Sequence, residues 1–137
     1  MRLIRCFLPL FAVFPLLAAV DFQREVRPIL SDNCFLCHGP DPDSRLAGMR
    51  LDTQEGAFGK RENGAPIVPG NAAASLVFQR ITATDARHMP PEYSHRELTA
   101  EQIETIKTWI DEGAVWKEHW AFRPPQQPEP SAQPPIT

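Results

Sequence analysis

Three side chains in one short stretch constrain this chain more than anything else in it: Cys34 and Cys37, one helical turn apart, and His38 directly after them. Residues three apart on a helix share a face, so both thiols project to one side. Each thiol can add to one vinyl group of a porphyrin, giving two thioether bonds. The histidine then lies on the flank facing the iron, where its imidazole serves as proximal ligand. Cys-x-x-Cys-His is the attachment signature of c-type haem. The expectation is one haem c per chain, bonded to Cys34 and Cys37, with His38 on the iron.

Three other uses of a cysteine pair compete. A structural zinc site commonly draws on four ligands, as two cysteine pairs or a pair with two spaced histidines, and the sequence offers no second pair. A thioredoxin-like redox site also uses Cys-x-x-Cys, but beside a strand-helix alternation that the flanking segments lack. A plain disulfide is the third. The histidine at the next position favours haem over all three.

The start of the chain bears on the compartment. Met1 to Arg5 is short and positively charged, and Cys6 to Leu17 is an almost unbroken apolar run of signal-peptide length. The run is short for a bilayer span, and Cys6 precedes the apolar core, where a lipidated cysteine would follow it. Leu17-Ala18-Ala19 offers a cleavage site, so residues 1–20 are expected to be a signal peptide. The product is then exported, periplasmic or extracellular, in a bacterium. Removal of Arg2 and Arg5 leaves 12 basic and 17 acidic side chains, a balance of −5. That argues against nucleic acid, whose binding rests on clustered cations. The remainder shows no second membrane segment, so no stable membrane span is expected after cleavage.

A sixth iron ligand is the next requirement. The candidates are Met49, Met89, His88, His95 and His119. Met89 has the strongest context, because Pro90 and Pro91 restrain the backbone directly after it and a weak thioether needs a stiff loop. Met49 reads as an apolar gap-filler, and His88 would make a bis-histidine site. His95 sits among Ser94, Arg96 and Glu97 in a polar turn; His119, between Trp116 and Trp120, reads as a packing residue. An open sixth position is the remaining option.

Around the motif the periodicity is helical. A first helix is expected from an Asp21 cap, with Phe22, Val26, Ile29 and Leu30 on one face and a kink or restart at Pro28. Residues 52–70, with their glycines and prolines, read as largely loop. A helix capped by Asn71 should bury Ala74, Val77, Phe78 and Ile81. The last helix has Thr99 and Gln102 as a capping box, Leu98 and Ile103 as a staple, a stripe of Ile103, Ile106, Trp109 and Ile110, and Gly113 as its stop. The expected fold is all-α: a small domain of three to four helices packed around one covalent haem, with long loops, over residues 21–122. Residues 123–137 are proline-rich and should form an extended tail or linker.

Beyond Cys-x-x-Cys-His, the chain resembles the planctomycete-type cytochrome c domain. The resemblance is carried by Val26-Arg27-Pro28-Ile29-Leu30, Cys34-Phe35-Leu36-Cys37-His38-Gly39-Pro40, Leu51-Asp52-Thr53, Ile67-Val68-Pro69-Gly70, Met89-Pro90-Pro91, and Leu98 to Gln102 followed by Trp109 to Ala114. It implies a cytochrome c-like fold, covalent haem and electron transfer, with Cys34 and Cys37 as attachment points, His38 as proximal ligand and Met89 as distal ligand. It also implies a partner, either a separate redox protein or an enzyme module fused downstream. One-electron transfer is thus the expected activity, with no catalysis of the domain's own. The alternatives are a peroxidase-like haem enzyme with an open sixth site, drawing on His88 and Arg87, and a structural haem module that recruits partners for a larger protein.

Overall fold

The computed structural model of the chain describes residues 19–117. Most of the expected leader, His119 and the proline-rich segment 123–137 fall outside the described residues. Within them the elements are helices joined by turns and long loops; one isolated bridge pairs Arg61 with Gly64, and there is no strand among the described residues. The all-α architecture therefore holds. The helices come in more pieces than the expected three to four, because the first is broken.

That break has a chemical cause. Asp21 caps the start, accepting the N–H groups of Gln23 at 2.9 Å and Arg24 at 3.2 Å. Phe22–Val26 winds as a π-helical turn, closed by the Arg27 N–H on the Phe22 carbonyl, before α1 begins at Arg27–Asn33. Pro28 lacks an N–H and its ring crowds the preceding turn. It stands in the first turn of α1, where a missing donor goes unnoticed, so the chain changes helical register there instead of bending. Phe22, Val26, Ile29 and Leu30 are all buried, as the spacing requires. Cys34 leaves α1 with φ −121°, and the short helix α2, Phe35–His38, follows.

Residues 52–70 are largely loop, as expected, with one short helix among them, α3, Gln54–Phe58. Thr53 caps it by accepting the Gly56 N–H at 3.2 Å. Gly56 is there for closeness, since a Cβ at that position would lie 2.6 Å from the Arg50 carbonyl oxygen.

Helix α4 also starts later than expected, at Leu76–Ile81. Asn71 caps only the turn before it, accepting the Ala74 N–H at 2.9 Å. Ala74 is consequently exposed, while Val77 and Ile81 are buried and Phe78 is half-buried. Ser75 takes the inward place; its hydroxyl accepts from the Val68 N–H at 2.8 Å and donates to the Asn71 carbonyl at 2.9 Å. A fully buried serine with both hydrogen-bonding roles filled costs little.

Helix α5, Ala100–Asp111, follows its local code closely. Thr99 and Gln102 form the reciprocal capping box. At the other end the Gly113 N–H reaches the Ile110 carbonyl and the Ala114 N–H reaches the Trp109 carbonyl at 2.8 Å, with Gly113 at φ 103°, a Schellman stop. Leu98, Ile106, Trp109 and Ile110 are buried, and Ile103 is partly so.

The two ends of the described chain meet in an aromatic cluster. Phe22 stacks on Trp109 with centroids 5.2 Å apart and lies 4.2 Å from Trp116, which meets Phe58 edge-on at 5.7 Å. Outside this cluster Lys117 pairs with Asp21 at 2.6 Å. Trp109→Ala should cost about 3–5 kcal/mol, the usual range for emptying a buried aromatic site, measured by chemical denaturation of the purified protein. A second expectation concerns acid. Asp111 accepts the Ala72 N–H at 2.8 Å and the Lys107 ammonium at 3.1 Å, contacts that hold its carboxyl below the ordinary 3.8. A depressed folded pKa gives stability that is present above the unfolded value and lost as pH falls through the folded one. Melting temperature should therefore drop as pH goes below the ordinary carboxylate range, and Asp111→Asn should flatten that slope.

Candidate haem cleft

The cysteine-histidine turn is held from outside itself. A helix as short as α2 has no stability of its own, and its last carbonyls need partners. The Leu46 N–H donates to the Cys37 carbonyl and the Leu51 N–H to the His38 carbonyl, both at 2.8 Å. Arg45 then closes the end, its guanidinium donating to the carbonyls of Gly39 at 3.0 Å and Pro40 at 2.6 Å. The loop from Arg45 to Leu51 is thereby wrapped over the motif.

A cleft opens in front of this turn. It has a larger lobe of about 620 Å³ and a smaller one of about 130 Å³, and Cys34, His38, Ala47, Ile81 and Met89 line both. Cys37, Leu36, Leu46 and Tyr93 line only the smaller lobe; Met49, Leu51 and Val77 line only the larger. A volume of this order suits a cofactor site. The lining is rich in apolar side chains, and Leu36, Leu46 and Met89 remain substantially exposed at its mouth. Apolar surface grouped in this way marks a binding site.

The donor atoms fit a c-type haem. Cys34 and Cys37 are free thiols. Desolvation pushes the Cys34 thiol up to about 11, against the pull of Arg96; a thiol kept protonated is a poor disulfide-exchange nucleophile. Of the two His38 ring nitrogens only Nδ1 is walled off, buried without a hydrogen-bond partner. Burial lowers the His38 pKa, opposed by the main chain of Leu46 and Met49. The imidazole is thus favoured in its neutral, ligating form.

The structure separates the candidate sixth ligands. Met89 lines both lobes, and its N–H is fixed on the Arg80 carbonyl at 3.0 Å. Met49 also lines the cleft, but its main chain stands beside the His38 ring. His88 turns away, its Nδ1 2.8 Å from the Ala83 carbonyl. With His95, Asp85, Glu92 and Glu97 it lines a separate outer groove of about 770 Å³. Pro90 and Pro91 line both that groove and the smaller lobe, forming a thin wall between them. His119 lies outside the described residues. Sequence reasoning missed Arg45, Lys60, Arg61 and Arg80: nothing in the local sequence shows that Arg45 closes the motif or that the other three line the cleft.

A turn offering two thiols and an imidazole to an apolar cleft, in an all-helical domain, is the arrangement of a c-type cytochrome. The comparison with known families agrees: residues 34–93 match the family described as planctomycete cytochrome C. Haem c binding is what this match implies. Among curated proteins the chain is 26% identical over 124 residues to hydrazine synthase subunit alpha of Kuenenia stuttgartiensis. That match covers 71% of this chain but 15% of the relative, so the chain spans a small part of the protein it resembles. A solved structure of Kuenenia stuttgartiensis hydrazine synthase aligns with a TM-score of 0.47 at 23% identity, over 71% of this chain and 16% of that one.

One residue of the motif's surroundings can be tested without any cofactor assay. A Cβ at Gly39 would fall 2.1 Å from the Phe35 carbonyl oxygen, a clash with the backbone of the motif's own turn. Gly39→Ala should destabilise the domain by about 1–3 kcal/mol, as overpacking does, and lower the yield of haem-loaded protein; an unaltered melting temperature would contradict the tight turn.

Proposed function

We propose that this domain is an exported one-electron relay, carrying a single haem c bonded to Cys34 and Cys37 and ligated by His38 and Met89. The observation that carries the reading is the cleft itself, because Cys34, His38 and Met89 line it together although Met89 is remote from the motif in sequence. Bound there, the haem supplies a one-electron couple at its iron. The chain's residues have passive duties. Cys34 and Cys37 tether, and His38 presents a neutral imidazole from a turn clamped by Leu46, Leu51 and Arg45. The Arg80 carbonyl and the Pro90-Pro91 wall fix where Met89 stands. Leu51, Val77 and Ile81 exclude water, and exclusion of water with a thioether opposite an imidazole favours the ferrous state.

The position of Met49 beside the His38 ring supports a packing role on the proximal side. A peroxide-using site would enlist His88 and Arg87, but His88 is bonded to Ala83 and Arg87 is paired with Asp85 at 2.7 Å on the surface. Those engagements favour the relay over the enzyme. The matched relative is named as a subunit of an enzyme, which supports the idea that the electron is handed to another polypeptide or module, with residues 123–137 as the linker and residues 1–20 as the export signal.

The test is a visible spectrum and intact mass of the protein matured with its haem, alongside Met89→Ala. The unmutated protein should carry one haem mass and show the weak thioether-to-ferric-iron band. Met89→Ala should lose that band, turn high-spin and shift to a lower potential while retaining the haem mass. A spectrum indifferent to the substitution removes Met89 from the iron, and bare thiols in the matured protein end the proposal.

A further inference from the structure

The larger lobe of the cleft is cationic as well as apolar. Lys60, Arg61 and Arg80 line it, with Glu62 and Asn63 as the other polar residues at that end. This is an unusual concentration in a chain with a formal charge of −3. None of these three cations has a carboxylate within ion-pair distance among the described residues, a state they share with Arg24, Arg27, Arg45 and Arg96 but not with Arg50, Arg87, Lys107 and Lys117. Cys37 lines only the opposite, smaller lobe. Two of these cations have main-chain anchors, that of Arg80 being a long 3.5 Å contact to the Arg87 carbonyl. Arg61 donates to the Ala47 carbonyl at 2.6 Å and the Gly48 carbonyl at 3.3 Å, which leaves other guanidinium N–H groups free to donate. Its backbone is held in the Arg61–Gly64 turn, where the Gly64 N–H meets the Arg61 carbonyl at 3.1 Å. Arg80 shares a face of α4 with Leu76 and Val77, one helical turn before it, and all three line the lobe.

A guanidinium held in place without a counter-ion, facing a half-enclosed apolar space, is a carboxylate receptor in waiting. On a porphyrin tethered through its vinyl carbons the two propionates project from the edge away from the thioethers. We infer that Arg61 and Arg80, with Lys60 at the rim, bind the haem propionates and set the charge felt by the iron. The inference rests on the haem reading of the cleft and assigns to that cofactor the residues that orient its polar edge. Arg61 is a positioning residue twice over, because the same guanidinium ties down the Ala47-Gly48 corner that walls the cleft.

The experiment uses the full haem-loaded protein. Covalent attachment through Cys34 and Cys37 means that loss of a propionate contact does not release the haem, so mass and visible spectrum report loading separately from the contact. Midpoint potentials are then measured for Arg61→Gln, Arg80→Gln, Arg61→Lys and, as a control for net charge alone, the exposed Arg24→Gln. Each glutamine substitution in the cleft should move the ferric/ferrous balance toward ferric by about tenfold, about 59 mV for one electron. Arg61→Lys should recover most of that shift, and Arg24→Gln should change little. If the potentials of Arg61→Gln and Arg80→Gln match that of Arg24→Gln while all carry haem, the propionate assignment is wrong and the haem reading stands. If the unmutated protein carries no haem, both fall together.

Discussion

The terminal carbonyls of a very short helix organise this domain. Residues Phe35–His38 make one turn, too little to persist alone, yet that turn must hold two thiols and an imidazole in fixed relation. Stability is imported by giving its carbonyls outside donors. The Leu46 and Leu51 N–H groups and the Arg45 guanidinium supply them. Satisfying those carbonyls also sets the course of the loop between, so Ala47, Met49 and Leu51 arrive as the wall beside His38. The clamp gives those carbonyls protein partners and builds one wall of the cleft in the same stroke.

The apolar core lies where the chain ends meet. Phe22, Trp109 and Trp116 pack together, and the buried faces of α1, α4 and α5 converge on them. In front of the motif lies the cleft, lined by Leu51, Val77 and Ile81 from the edge of that core and by the more exposed Leu36, Leu46 and Met89. A domain of this size buries a modest fraction of its surface. Under the proposed haem reading, a flat apolar cofactor between the proximal wall and Met89 would pack on that side, and a covalent tether would keep it there through local opening.

Features written within a few residues of each other were legible in advance. The Asp21 cap, the Thr99–Gln102 box and the Gly113 stop each depend on neighbours inside one or two turns, and each is where the sequence puts it. The cysteine-histidine motif is legible for the same reason. What escaped depends on distant partners. The short helix α3 went unread because the role of its Gly56, closeness to the Arg50 backbone, is tertiary. Asn71 was a good cap for a turn that the chain then leaves before starting α4, since burying Ser75 is better served by the Val68 and Asn71 main chain. His88 and Met89, adjacent in sequence, stand on opposite sides of a wall of two prolines, the first in the outer groove and the second in the cleft. The cations of the larger lobe carry no local signal at all.

Helix α4 ties these parts together. Its Val77 and Ile81 are buried and its Arg80 lines the cleft, while the Arg80 carbonyl receives the Met89 N–H. One residue therefore contributes through its side chain to the charged end of the cleft and through its main chain to the seat of the candidate distal ligand. Any shift of α4 relative to the clamped motif displaces both at once, so the apolar contact of Val77 and Ile81 with the core decides how firmly the positions of Met89 and Arg80 are coupled. In a relay, where reorganisation on each electron transfer is best kept small, a stiff element shared by ligand and counter-charge is the economical arrangement, and the short length of α4, fixed at one end by the Ala65 and Pro66 carbonyls, leaves it little freedom to do otherwise.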